Sequence, residues 1–300
     1  MKIKSTCLLV MLSSLMLFGT ASAQYDIIPE PAQIQSGQEM VKTLNVLSAK
    51  QDERLGPEGY ALNLTPDGVE VIYGGESGKS FAKVTLTQLK DQLERSPDGI
   101  PAGKIIDKPA YPWRGMMCDV SRQFMPAKDL MKFIDVMHFY KFNKLHLHLT
   151  DDQGWRLPVP GYDKLASISS TRGDGPNPGS PGFMPASSGM YTKNELKQVV
   201  KYCAERGIEV IPEIDVPGHV QALIAAYPEF ACPQPKDGFP DNFNAKARTD
   251  PKDIKVRTEG GICPNLLCPQ SQEMWKFYDT VVRELADIFP SKIVHLGGDE

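Results

Sequence analysis

From Trp113 onward the chain alternates short apolar strands with amphipathic helices, and each strand runs out into charged residues. This rhythm constrains the fold more than any other feature. The spacing predicts strands over 114–120, 144–149, 208–212 and 292–296, and helices over 127–140, 192–203 and 271–289. Thr192 and Glu195 have the spacing of a capping box at the start of the second helix. Repeated strand–helix units imply a parallel sheet, because parallel neighbours need a crossover between them. The connections after the second and third strands are long and rich in glycine and proline, while the helix-to-strand links are short. That asymmetry is expected of a (β/α)8 barrel, whose site is built on the loops that follow its strands. Residues 109–300 would supply about four of the eight units a closed barrel requires, leaving the barrel incomplete at the C-terminus.

The segment before Trp113 has a different character. Lys2 and Lys4, an apolar run over 8–18 and the small residues Ala21 and Ala23 form an export signal over 1–23, so a periplasmic or secreted protein is expected. The apolar run is too short for a permanent membrane span. Residues 24–108 read as a small α/β domain, with a hairpin over 60–73 turning at Pro66–Gly68 and a helix over 80–94. The proline-rich stretch 101–112 reads as an extended connector. The fold class is therefore α/β, a small N-terminal α/β domain followed by the first half of a TIM barrel.

A net charge of −4 with no basic cluster argues against a nucleic-acid partner. Five cysteines follow the export signal, an odd number, so at least one thiol is expected to be free. Cys232 and Cys263 flank a polar loop and are the pair that a disulfide could join. Zinc-type Cys-x-x-Cys pairs are absent from the sequence, and neither a metal nor another cofactor is expected.

Chemistry-bearing residues fall at the ends of all four expected strands: Asp119 and Arg122; His146, His148, Asp151 and Asp152; Glu213, Asp215 and His219; then Asp299 and Glu300. Two adjacent carboxylates after Gly297 and Gly298 can have different surroundings and different duties, as in glycosidic bond cleavage. An arginine presents a fixed fork of donors that suits neighbouring sugar hydroxyls. An Asp–His pair can orient and tune a carboxylic acid.

The runs 113–115, 119–122, 144–156, 212–219 and 295–300 together resemble the glycoside hydrolase family 20 β-N-acetylhexosaminidases, and the resemblance covers nearly all of the chain after the export signal. It implies an exo-acting, retaining enzyme that removes terminal GlcNAc or GalNAc from an oligosaccharide or glycoconjugate. Glu300 would be the general acid. Asp299 would hold the 2-acetamido group, whose oxygen serves as nucleophile in place of an enzyme carboxylate. Arg122 would grip sugar hydroxyls. Asp151 and His219 would tune Glu300, with Asp215 behind His219, and His148 and Trp155 would shape the site. Gln123 stands where the family commonly has histidine, and little effect is expected from it. Two rival readings stay open: an inactive truncated remnant or sugar-binding protein, and a metal-dependent barrel hydrolase using His146 and His148.

Overall fold

The computed structural model describes residues 25–179, 183–232, 250–261, 263 and 265–298. The export signal and the Asp299–Glu300 pair lie outside the described residues. The chain divides into two compact units at Ala110/Tyr111.

The first unit is a five-stranded sheet with one helix. Strands β1 (Gln33–Val41), β2 (Val46–Gln51), β3 (Tyr60–Thr65), β4 (Gly68–Tyr73) and β5 (Ile100–Asp107) are ordered β1-β5-β3-β4-β2, and helix α1 (Glu76–Glu94) lies over β3 and β4. Phe81, Leu86 and Leu89 of α1 pack on Leu62, Leu64, Val71 and Ile105. Each large apolar side chain so buried contributes roughly 1.5–3 kcal/mol. Most of the expected connector over 101–112 is instead β5, a central strand between β1 and β3. A proline is tolerated there because β3 pairs with β5 only from Gly103 onward, so Pro101 owes no donor to that neighbour. Opposite Pro101 the register of β1 shifts between Ser36 and Met40. Gly103 has φ +154°, and a Cβ there would lie 2.1 Å from the Gln35 carbonyl oxygen, so the kink needs glycine.

The second unit is built on parallel strands β6 (Gly115–Asp119) and β7 (Lys144–His148), with helix α2 (Ala127–Phe139) between them in the chain. A tight hairpin of β8 (Thr150–Asp151) and β9 (Gly154–Trp155) follows, then a two-stranded ribbon of β10 (Thr171–Arg172) and β11 (Ser187–Ser188). Next come helix α3 (Lys193–Ala204), strand β12 (Glu209–Glu213), helix α4 (Gln221–Ala226) and helix α5 (Gln272–Ile288). The sheet order is β12-β7-β6, all parallel. Thr192 and Glu195 do form the capping box of α3, a device worth about 0.5–2 kcal/mol.

The two-residue period of a strand separates the layers of this unit. Leu145 and Leu147 of β7 and Val210 of β12 pack with Leu130 and Ile134 of α2, Val199 of α3 and Phe277 and Val281 of α5. The alternate positions, His146 and His148, therefore face the other side of the sheet, the concave side of a partial barrel. Trp155 points into the apolar layer, 5.4 Å from Phe277 between ring centres, while its backbone pairs with Thr150 beside Asp151.

The fourth expected strand, 292–296, is only a single parallel bridge between His295 and Glu213. Its backbone is nonetheless tied to β12: His295 N–H donates to Pro212 O (2.9 Å), and Ile214 and Val216 N–H donate to His295 O and Leu296 O (3.1 and 2.9 Å). Among the described residues it pairs on one edge alone, and Ile293, Val294 and Leu296 remain 42, 43 and 57% exposed. The Cys232–Cys263 bridge that the sequence allows is absent. Cys118, Cys203, Cys263 and Cys268 are free thiols, and Cys263 Sγ instead donates to Gln221 Oε1 at 2.5 Å.

Candidate active site

Parallel pairing places Asp119 opposite His148 and His148 opposite Glu213, and the bridge places Glu213 opposite His295. Residues in register on parallel strands share a face. The last strand position of each element thus forms one row of ionisable side chains across the sheet, with the site loops directly beyond it.

Arg122 sits in the loop after β6, its side chain 35% exposed. Nη1 donates to Asp119 Oδ2 (2.9 Å) and Nη2 pairs with Asp151 Oδ2 (2.6 Å). Burial disfavours the guanidinium charge, but Asp151 and Asp119 outweigh it and raise the pKa. The loop is itself shaped by Asp119, whose Oδ1 accepts from the backbone N–H of Ser121 and Arg122. Fixing a charged fork from behind leaves its outer N–H groups to be offered as a pre-set pair.

Asp151, at the tip of β8, is fully buried and shared among four groups. Oδ2 takes Arg122 and His148 Nε2 (2.9 Å), and Oδ1 faces His219 Nδ1 (3.1 Å) and accepts from Asp152 N–H (2.6 Å). Burial would raise its pKa, but hydrogen bonding from His148 and the charges of Arg122 and His219 hold it below the usual range. His219 is in the left-handed region at φ 52°, a conformation that costs a non-glycine residue of order 1–3 kcal/mol and marks a site held by its surroundings. Burial opposes its charge, while Asp151 and then Asp152 raise its pKa, with Asp215 adding to the effect. Asp215 is buried and accepts from Gly298 N–H at 3.3 Å. A Cβ on Gly297 (φ +65°) would fall 1.7 Å from Asp215 Oδ1, so this turn requires glycine.

Several residues that sequence reasoning left without a role complete the constellation. Glu213 is a hub: Oε2 contacts His146 Nε2 (2.7 Å) and His148 Nδ1 (2.5 Å), and Oε1 contacts His295 Nδ1 (3.0 Å). Burial would raise its pKa, but hydrogen bonds from the two β7 histidines hold it well below the carboxylate range. For His148, burial lowers the pKa, yet hydrogen bonds to Asp151 and Glu213 outweigh it and push the value up to about 9. Asp152 is buried beside Asp151; burial raises its pKa, although one oxygen accepts from Gln221 N–H at 3.0 Å. Arg156 is completely buried and, among the described residues, donates to backbone carbonyls, those of Val120, Ser121, Ser170 and Gly189, at 2.6–2.9 Å. It staples the Arg122 loop to the ribbon. Its sequence signal was weak, since a lone arginine is usually at the surface. Asp119 and Glu213 were findable as the terminal residues of successive parallel strands.

His146, Glu213 and His295 bring three metal-capable atoms within 4.8 Å, as do His148, Asp151 and Asp215 and also Asp151, Asp152 and His219. Glu213 Oε2 lies 2.7 and 2.5 Å from His146 Nε2 and His148 Nδ1, which are hydrogen-bond distances, so these three side chains partner one another without an ion.

Comparisons with known proteins agree with this architecture. The family model described as "Glycosyl hydrolase family 20, catalytic domain" matches residues 111–300, and "Glycosyl hydrolase family 20, domain 2" matches 33–108. The chain is 54% identical to a "Beta-hexosaminidase" of Akkermansia muciniphila over 93% of its own length and 52% of that protein's. It is 34% identical to a "Beta-hexosaminidase" of Porphyromonas gingivalis, covering 89% of this chain and 32% of the relative. Among solved structures, a beta-N-acetylhexosaminidase superposes with a TM-score of 0.82 at 54% identity, over 93% of this chain and 55% of that one. The N-acetyl-beta-hexosaminidase of Streptomyces plicatus, in complex with Thio-NAglucal, superposes with a TM-score of 0.70 at 30% identity, over 91 and 59%. The chain thus spans about half the length of the first of these relatives. A small α/β domain leads into a partial barrel region, the strand ends carry the motif residues in register, and this chain belongs to glycosyl hydrolase family 20.

Proposed function

We propose that the protein of which this chain is part is an exo-acting, retaining β-N-acetylhexosaminidase working by substrate-assisted catalysis in a completed (β/α)8 barrel. The observation that carries the reading is the Arg122–Asp151–His219 constellation at the C-terminal ends of adjacent parallel strands. In this reading Arg122 binds hydroxyls of the terminal sugar, its rear N–H groups being committed to Asp119 and Asp151. Asp151 and His219 form an acid–imidazole pair that steadies the charge of Glu300 as it gives up and regains its proton. Asp299 aligns the 2-acetamido group, whose oxygen attacks the anomeric carbon while Glu300 protonates the departing oxygen. Water activated by Glu300 then opens the cyclic intermediate with net retention. The substrate is a glycan or glycoconjugate with a terminal N-acetylhexosamine, in keeping with relatives called beta-N-acetylhexosaminidase. Export by the leader at 1–23, to the periplasm or the medium, belongs to the same proposal, as does the absence of a nucleic-acid partner.

The test uses the complete protein. Hydrolysis of an aryl N-acetyl-β-glucosaminide, with no hydrolysis of the matching β-glucoside, is the expected result, because only the former carries the internal nucleophile. Equal rates on both sugars would overturn the substrate-assisted reading. Activity that survives exhaustive chelation removes the metal-dependent alternative, and absence of all turnover favours a sugar-binding role. Amino-terminal sequencing of the secreted product, expected to begin at Gln24, checks the export reading.

A further inference from the structure

Glu213 stands outside every role given above, yet it joins three histidines on the concave face. It meets His146 and His148 from β7 and His295 from the 293–296 run. It lies behind His148, whose own surroundings are Asp119 and Arg122 at the end of β6, Asp151 on β8 and Asp215 after β12. Resting on the functional reading set out above, we propose that Glu213 is a positioning residue for hydrolysis: through His148 it fixes the Asp151 carboxylate, and so sets the pose in which Arg122 meets the sugar.

The geometry runs in one line. His148 presents Nδ1 to Glu213 at 2.5 Å and Nε2 to Asp151 at 2.9 Å, two carboxylates that can only accept. Both contacts are hydrogen bonds only when both ring nitrogens carry hydrogen. The ring is then doubly anchored and cannot turn, and its Nε2–H is committed to Asp151 Oδ2. Arg122 Nη1 lies 3.1 Å from that nitrogen but meets a donor there, so its hydrogen goes to Asp119 and Nη2 goes to Asp151. Each group in the chain has one satisfying arrangement, and that arrangement fixes the guanidinium. The raised pKa of His148 agrees with this state.

Without the Glu213 carboxylate the constraint relaxes. His146 and His148 meet the same oxygen, Oε2, so a glutamine can still accept there, but it carries no charge and the His148 imidazolium loses its counter-ion on the Nδ1 side. The ring of His148 then becomes neutral, its Nε2 can accept from Arg122, and the guanidinium is drawn off its pose. A misplacement of about 1 Å away from the reacting atoms can reduce turnover by roughly 10²-fold.

The experiment is made on the complete enzyme with ¹⁵N-labelled histidine. Imidazole ¹⁵N spectra at neutral pH, assigned by the loss of one ring in His148→Gln, are expected to show His148 protonated on both nitrogens in the wild type and neutral in Glu213→Gln. Glu213→Gln is expected to reduce kcat/KM by up to about 10²-fold, with the larger part in KM, where loss of the Arg122 contact registers. Glu213→Asp, which keeps the charge, should recover part of that loss. A wild-type His148 that is neutral at this pH overturns the proposal and needs no variant to fold. So does a Glu213→Gln enzyme with native melting and unchanged kcat/KM. A wild type that cleaves no β-N-acetylhexosaminide overturns the functional reading and this role with it, while the imidazole spectra distinguish that failure from a failure of the geometry.

Discussion

Both units bury a polar network, and the two networks differ in what they leave unspent. In the first unit Tyr60 OH bonds to Thr85 Oγ1 (2.6 Å) and Asp107 Oδ2 (2.8 Å), while Asp107 Oδ1 accepts from Ala32 N–H (3.3 Å). This group joins β3, α1 and β5 and is closed from water. In the second unit the Glu213–His148–Asp151–Arg122 chain is equally well bonded on its inner side, but it ends in a guanidinium that is one-third exposed. A polar network satisfied on every side specifies a fold, whereas one ending in an accessible, pre-set charge can recognise a ligand.

That contrast can be broken at either end. The largest effect is expected from Glu300→Gln in the complete protein. Turnover of substrates with poor leaving groups should fall by about 10²–10⁴-fold, and activated aryl glycosides should be hit less because they need less protonation. Equal losses on both classes, measured side by side, would remove Glu300 as the acid.

Arg122→Lys keeps the charge but gives up the fork. Hydrogen bonds to charged groups contribute about 1.5–3 kcal/mol each, so losing one should raise KM roughly 10- to 100-fold with a smaller change in kcat. Steady-state kinetics indistinguishable from wild type would mean that the arginine turns away from the sugar.

A third effect lies in stability against pH. The folded pKa of His148 is raised from the ordinary 6.5 to about 9. Its stabilisation is therefore fully present below about pH 6.5 and is lost as pH rises through 9, with an upper bound of about 3 kcal/mol. Urea unfolding of the second unit at pH 6 and pH 9.5 should register this loss, and His148→Gln should abolish the difference. A flat profile in the wild type would contradict an imidazolium between Glu213 and Asp151.

The smallest effect belongs to the closed network. Tyr60→Phe leaves Asp107 and Thr85 each short of a partner inside the first unit, a cost of about 1–3 kcal/mol in unfolding free energy. Activity at a temperature where the variant is folded should be unchanged. A drop in kcat there would show that the closed network also serves the site.

Local periodicity and motif spacing were enough to read α2, α3, α5, the β3–β4 hairpin and the parallel strands β6, β7 and β12. Each is set by residues within a few positions of one another: apolar stripes, the Thr192–Glu195 box, the turn at Pro66–Gly68. Arg122, Asp151 and His219 were legible as candidates because they lie in runs whose spacing carries the family signature. Asp299 and Glu300 came from the same reading and lie outside the described residues. Tertiary structure alone decided the rest. Pro101 reads locally as a breaker, yet β5 is a central strand because β3 pairs with it only from Gly103 onward and asks no donor of that residue. Residues 292–296 have the pattern of a strand but form only a bridge, since a strand is completed by partners and β12 supplies one edge. Glu213 looks like any acid in a motif until parallel register sets it beside three histidines that are 67, 65 and 82 residues away in the chain. The physical reason is one of range: propensity and periodicity act over a turn or a pleat, whereas hydrogen-bond partners, buried charge and strand pairing depend on what the fold brings from far along the chain.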